Sequence, residues 1–132
     1  MAIQLSVTVR NNRLDQIEAT TGVSAKLMLF SGTLPANCAA ADPSGTLATL
    51  ILPSDWMNAA SAGSKALAGT WTGTASGSGT AIVFRIKDSA GTTCHVQGTV
   101  GTTGTDLILD NNVLAVSQTI NVTTFTFSDA NA

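Results

Sequence analysis

The sequence predicts an all-β fold: a single β-sandwich domain over residues 1–132, with about eight strands and one or two short helical turns. Three observations carry this. Threonine (20 residues) and glycine (12 residues) are abundant and charged residues make up only 11%, so strand and turn formers outnumber the Lys and Glu that usually coat helices. Residues 82–100 read as a hairpin. Ile82, Phe84 and Ile86 alternate with Val83, Arg85 and Lys87, then Cys94, Val96, Gly98 and Val100 alternate with His95, Gln97 and Thr99. Turn signals recur every 8–15 residues without a long helical period between them. Two packed sheets, with a jelly roll as the natural closure, accommodate such a chain.

Taken in order, Ile3, Leu5, Val7 and Val9 alternate with Gln4, Ser6 and Thr8, which predicts a first strand over 3–9. Asn12, Leu14, Asp15 and Ile17, followed by Gly22, predict a short helix. Residues 26–30 form the second strand. The stretch 31–45 holds Pro35, Asn37, Asp42 and Pro43 and is a loop long enough to be either functional or packed down by something. Residues 46–52 are the third strand, and 53–57 form a capped turn that sends Trp56 and Met57 inward. Residues 65–74 are read as a fourth strand. The hairpin turns at Asp88-Ser89-Ala90-Gly91, where Asp can bond the local backbone and Gly tolerates positive φ. Strand 107–109 follows. The last strand, 119–127, changes parity between Ile120 and Val122 on one side and Phe125 and Phe127 on the other, which predicts a bulge or a strand that bridges two sheets.

A formal charge of −2 and six scattered basic residues give no nucleic-acid footprint. No apolar run reaches the roughly 18 residues a membrane helix needs, and the N-terminus does not read as a signal peptide. A surface so poor in charge and rich in Thr, Ser and Asn suits a protein that assembles. Cys38 and Cys94, 56 positions apart, can be a disulfide, two buried free thiols or unrelated cysteines.

Chemistry is sparse. His95 is the only histidine, and its neighbour Cys94 points to the opposite face of a strand, so the two form no catalytic pair. Cys94 is expected toward the core and His95 on the open face. No serine sits in a nucleophile elbow, and no Cys, His or Asp spacing suits zinc or calcium. The expected catalytic residues, metal ligands and cofactors are therefore none. Trp56, Met57 and Trp71 are expected as core or interface anchors, the alternative for the two tryptophans being a sugar platform.

Several stretches together carry a resemblance. They are Val9-Arg10-Asn11-Asn12-Arg13-Leu14-Asp15-x-Ile17-Glu18, Ser31-Gly32-Thr33, Cys38-Ala39-Ala40-Ala41-Asp42, Leu52-Pro53-Ser54-Asp55-Trp56-Met57 and Asp88-Ser89-Ala90-Gly91-Thr92-Thr93-Cys94-His95. Across nearly the whole chain the sequence resembles the jelly-roll cementing, or decoration, proteins of tailed-bacteriophage heads. The resemblance implies a non-enzymatic virion protein, made in the host cytoplasm, that sits on the capsid exterior over joints between major capsid proteins. It implies a homo-oligomer, a dimer or trimer, with no nucleic-acid or membrane partner. In that setting residues 1–22 would form an inter-subunit arm through Ile3, Leu5, Val7 and Val9, with Arg10 and Arg13 placed to pair with acids on a shell subunit. A receptor- or carbohydrate-binding module of a phage tail or fibre is the alternative reading.

Overall fold

Strand alternation and turn chemistry produce most of the elements expected. The computed structural model describes residues 3–130. In it, α1 (Val7–Thr21) precedes β1 (Lys26–Phe30), β2 (Thr46–Ile51), β3 (Ser64–Ala66), β4 (Thr72–Thr74) and β5 (Gly79–Thr80). Then come β6 (Val83–Lys87), β7 (Cys94–Gly101), β8 (Leu107–Leu109), β9 (Val113–Leu114) and β10 (Thr119–Ser128). One mixed sheet runs β2-β1-β6-β7-β8-β10-β3, with β4 also paired to β10, and β5 pairs β9 apart from it. The sheet curls over a single core, so the architecture is the all-β sandwich the sequence predicts.

The N-terminus differs from expectation. Residues 3–9 do not form a strand, and the helix is not one or two turns starting at Asn12: α1 begins at Val7 and runs 15 residues. Ser6 is the N-cap, its hydroxyl accepting from Val9 N at 3.3 Å, and Gly22 closes the other end at φ 90° with its N–H donating to Glu18 O. The alternation of Ile3, Val7 and Val9 was misleading because all three remain exposed, so it marks no half-buried strand. Leu14 and Thr21, two turns apart, are the buried side chains that hold α1 down. Residues 1 and 2 of the expected arm lie outside the described residues.

Two further differences have local causes. The expected strand 65–74 divides into β3 and β4 because the chain turns between them at Gly69, where φ is 67°. The expected parity change in the last strand is real: the β10–β8 register shifts between Val122 and Thr124.

Each edge strand of the main sheet has an outer carbonyl met by a neighbouring segment. Beside β2, Ser76 N and Gly77 N donate to Leu47 O, and beside β3, Asn58 N donates to Ala66 O. In the core, Trp56 and Trp71 ring centroids lie 5.9 Å apart, and Trp71–Phe125, Phe84–Phe125 and Phe125–Phe127 follow at 5.4, 5.4 and 4.8 Å. Trp56 Nε1 donates to Gly22 O at 2.9 Å and so ties the end of α1 to the core. Trp71 Nε1 donates to Trp56 O and Ala68 O, and Met57 is buried beside them. The three expected anchors are core residues.

Candidate functional site

The outer face of the β1–β6–β7 region is where the structure concentrates polar groups. All five residues of β6 are buried, although only Phe84 and Ile86 join the core cluster. Val83, Arg85 and Lys87 lie on the other face, and the 31–45 loop covers Arg85 and Lys87. The neck of the loop is closed by Ser31 N donating to Gly45 O and Gly32 N donating to Ser44 O. Its body is held by Arg85, which is 2% exposed. Arg85 Nη1 donates to Ala40 O at 2.9 Å and Asp42 Oδ1 at 3.0 Å, while Nη2 donates to Asn37 O and Gln97 Oε1. Lys87 Nζ reaches Asp42 Oδ2 at 2.6 Å, and Gln97 Nε2 donates to Pro35 O. The long loop is therefore packed down, and charged side chains do the packing.

Electrostatics follow from this geometry. Burial alone would raise the Asp42 pKa, but the hydrogen bonds and charges of Lys87 and Arg85 outweigh it and hold the carboxyl below its ordinary range. One carboxylate thus serves two buried cations.

Cys38 and Cys94 meet at this site. Both line an open cleft of about 590 Å³ together with Asp42, Arg85, Lys87 and Thr93. Both are free and half-buried. Burial and a hydrogen bond to the Cys38 thiol push Cys94 up to about 11. Cys94 does not point to the core as expected. The β6–β7 register shifts between Ile86 and Lys87, so Lys87 faces Cys94 and the cysteine falls on the loop-covered side. His95 is not on an open face: half-buried, it lines a shallow pocket with Arg13, Gln16, Ile17 and Thr20 of α1.

A second polar cluster holds α1 against the segment before β3. Asn11 Oδ1, Asp15 Oδ1 and Glu18 Oε1 accept from the backbone N–H of Gly63, Ala60 and Met57 at 2.9, 2.8 and 3.2 Å. Residues 11, 15 and 18 share one helix face, which gives this irregular segment the acceptors it lacks. Buried Lys65 donates to Asp15 at 2.8 Å, to Glu18 at 2.9 Å and to Asn58 O. Desolvation would lower the Lys65 pKa, but Asp15 and Glu18 outweigh it and raise it. The hydrogen bond from Lys65, helped by Ala60 N, lowers that of Asp15.

The residues expected in the N-terminal arm are dispersed. Ile3, Val7 and Val9 are exposed and Leu5 is half-buried. Arg10 Nη1 donates to Asp129 O at 3.1 Å, and Arg13 Nε lies 3.3 Å from Asp129 Oδ2, so both guanidinium groups engage the end of β10 in their own chain. Among the described residues, no three His, Cys, Asp or Glu side chains are grouped to hold a metal ion, and no helix is long and apolar enough to cross a membrane. Sequence reading missed Lys65, Asp42 and Gln97, although Asp42 in a long loop and two cations on one strand face were visible signals.

Compared with family models, curated proteins and solved structures, the chain matches none of them.

Proposed function

We propose that the chain is a structural virion protein that binds the outer surface of a phage capsid and cements contacts between major capsid proteins, acting as a homo-oligomer. One observation carries this beyond the sequence resemblance: how charge and apolar surface are divided between inside and outside. Three of the six cations, Lys65, Arg85 and Lys87, are buried in internal networks. Outside, nine large hydrophobic side chains among the described residues are exposed, including Ile3, Val7 and Val9 at the helix start and Ile82, Val113 and Val116 around the β5–β9 pair. A charge-poor, apolar-studded exterior favours protein partners over nucleic acid or free solvation. A sugar platform built on Trp56 or Trp71 has no support, since both indoles are buried.

The test is co-sedimentation of the purified chain with undecorated heads of the phage that encodes it, followed by thermal rupture of those heads. Binding with slower rupture is expected. Replacing Ile3, Val7 and Val9 by Ser should weaken binding at least tenfold with little change in fold stability, because these side chains are exposed. No binding and unchanged rupture would turn the reading toward a tail or fibre module.

A further inference from the structure

The 31–45 loop and β7 each bring one thiol to the same cleft, and the internal networks described above make no use of either as a partner. We infer that Cys38 and Cys94 are an oxidisable pair whose disulfide fastens the 31–45 loop to β7. The structure holds the reduced form, with both cysteines free.

The two sides are already positioned. Cys38 sits in a turn fixed by Asn37, whose Oδ1 accepts from Ala39 N and Ala40 N at 3.0 Å each. The carbonyls flanking Cys38, those of Asn37 and Ala40, are both held by Arg85. Cys94 is fixed by the β6–β7 ladder opposite Lys87, and its thiol also donates to Val96 O at 3.4 Å. Both thiols line one cleft that is open to solvent and so to an oxidant. Little further ordering is needed to join them, so the bond's main effect is to restrict the unfolded chain across the 56 positions it spans.

With a glutathione disulfide as oxidant, the chemistry balances in two displacements. The Cys38 thiolate attacks one sulfur of the reagent, forming a mixed disulfide and releasing one glutathione thiolate. The Cys94 thiolate then attacks the Cys38 sulfur, forming the internal bond and releasing the second glutathione. Two protein thiols are oxidised and one glutathione disulfide is reduced, the two protons lost by the protein thiols being taken up by the two released glutathione thiolates. Burial makes Cys94 the slower first nucleophile, which assigns it the resolving step. The inference goes beyond the capsid reading and stands without it.

The experiment is oxidation of the purified full chain with glutathione disulfide at pH 8, read by intact mass, peptide mapping and thermal melting. The expected result is loss of two hydrogens with no retained glutathione, and a peptide joining Cys38 to Cys94. The same sample should melt about 5–10 °C higher than the reduced chain. Cys94→Ser should stop at one stable glutathione adduct on Cys38. Stable adducts on both cysteines of the unsubstituted chain, a disulfide-linked dimer, or no reaction would overturn the pairing. A bond that forms and leaves the melting temperature unchanged or lower would overturn its role as a fastener. The unsubstituted chain alone decides these outcomes if the variant fails to fold.

Discussion

The 31–45 loop and helix α1 are both non-strand segments held on the sheet by buried cations, yet the two attachments are wired in opposite senses. Over the loop, donors project from the sheet: Arg85 and Gln97 supply N–H groups to the carbonyls of Asn37, Ala40 and Pro35. Under the helix, acceptors project from α1: Asn11, Asp15 and Glu18 take the N–H groups of Gly63, Ala60 and Met57. The ion ratios are opposite as well. Two cations share Asp42, whereas two carboxylates share Lys65. The orphaned backbone groups of an irregular segment thus select the side chains opposite them, donors against free carbonyls and acceptors against free N–H groups.

The largest break in this comparison is Arg85→Met. It leaves two loop carbonyls, Asp42 Oδ1 and the Gln97 side-chain oxygen without the donor that serves them, at a cost of about 3–5 kcal/mol. Lys65→Met should cost less, about 2 kcal/mol, because Asp15 is 44% exposed in its side chain and can turn to water. Urea titration measures both, and the two variants should fail in different places. Arg85→Met should open the loop to protease between residues 31 and 45 with helix ellipticity kept. Lys65→Met should lose ellipticity at 222 nm with the loop still protected. Equal costs, or loss of both elements in both variants, would show that the attachments are not separate.

How far each region is legible in the sequence follows from the same wiring. The β6–β7 hairpin and the long loop are readable because period-two alternation and clustered Pro and Asx residues are local signals. The burial of Arg85 and Lys87 is not readable, since an alternating polar face ordinarily means a wet one. Here Asp42, more than forty positions away, covers it. The Cys94 direction is lost at a bulge that no residue type in Thr92-Thr93-Cys94 marks. Helix α1 is the instructive miss. The β-branched start Val7-Thr8-Val9 imitates a strand, while Ser6 as cap and Asn11, Asp15 and Glu18 on one helical face were the competing signal. That face has meaning only once an unpaired segment lies beneath it.

A pH series sharpens the contrast at intermediate size. The Asp42 and Asp15 carboxyls have folded pKa values below their unfolded ones, so each contributes stability above its unfolded value of about 3.9. That contribution is lost as pH falls through the folded pKa. Lys65 is raised, so its contribution is complete below about 10.4 and is lost as pH rises through its folded pKa. Cys94, held up at about 11, adds an alkaline loss that begins near the ordinary thiol value of about 8.5. Urea midpoints between pH 2 and 6 should therefore depend less on pH in Asp42→Asn than in the unsubstituted chain. Between pH 9 and 12, Lys65→Met should flatten the alkaline limb only by the Lys65 share, and Cys94→Ser should remove the portion that starts earlier. An acid limb unchanged in Asp42→Asn would mean that the loop attachment does not titrate.

The smallest effect belongs to the ion pair that looks most like an extension of the helix attachment. Arg13 Nε lies 3.3 Å from Asp129 Oδ2, but its side chain is 59% exposed, so water and salt screen the pair. Arg13→Ala should change stability by no more than about 0.5 kcal/mol, and less at 0.5 M salt. Arg10 is the useful partner in this test. It is half-buried, its Nη1 donates to Asp129 O, and Gly63 packs so closely that an added Cβ would meet the guanidinium. Arg10→Ala should therefore cost about 1–2 kcal/mol and be nearly insensitive to salt. If Arg13→Ala proves the costlier of the two, α1 is held to β10 by long-range charge, and its attachment is then not set by matching backbone donors to acceptors. If Arg10→Ala is the costlier, the rule drawn from the loop and the helix extends to the end of β10, where a carbonyl without a strand partner is again met by a side-chain donor.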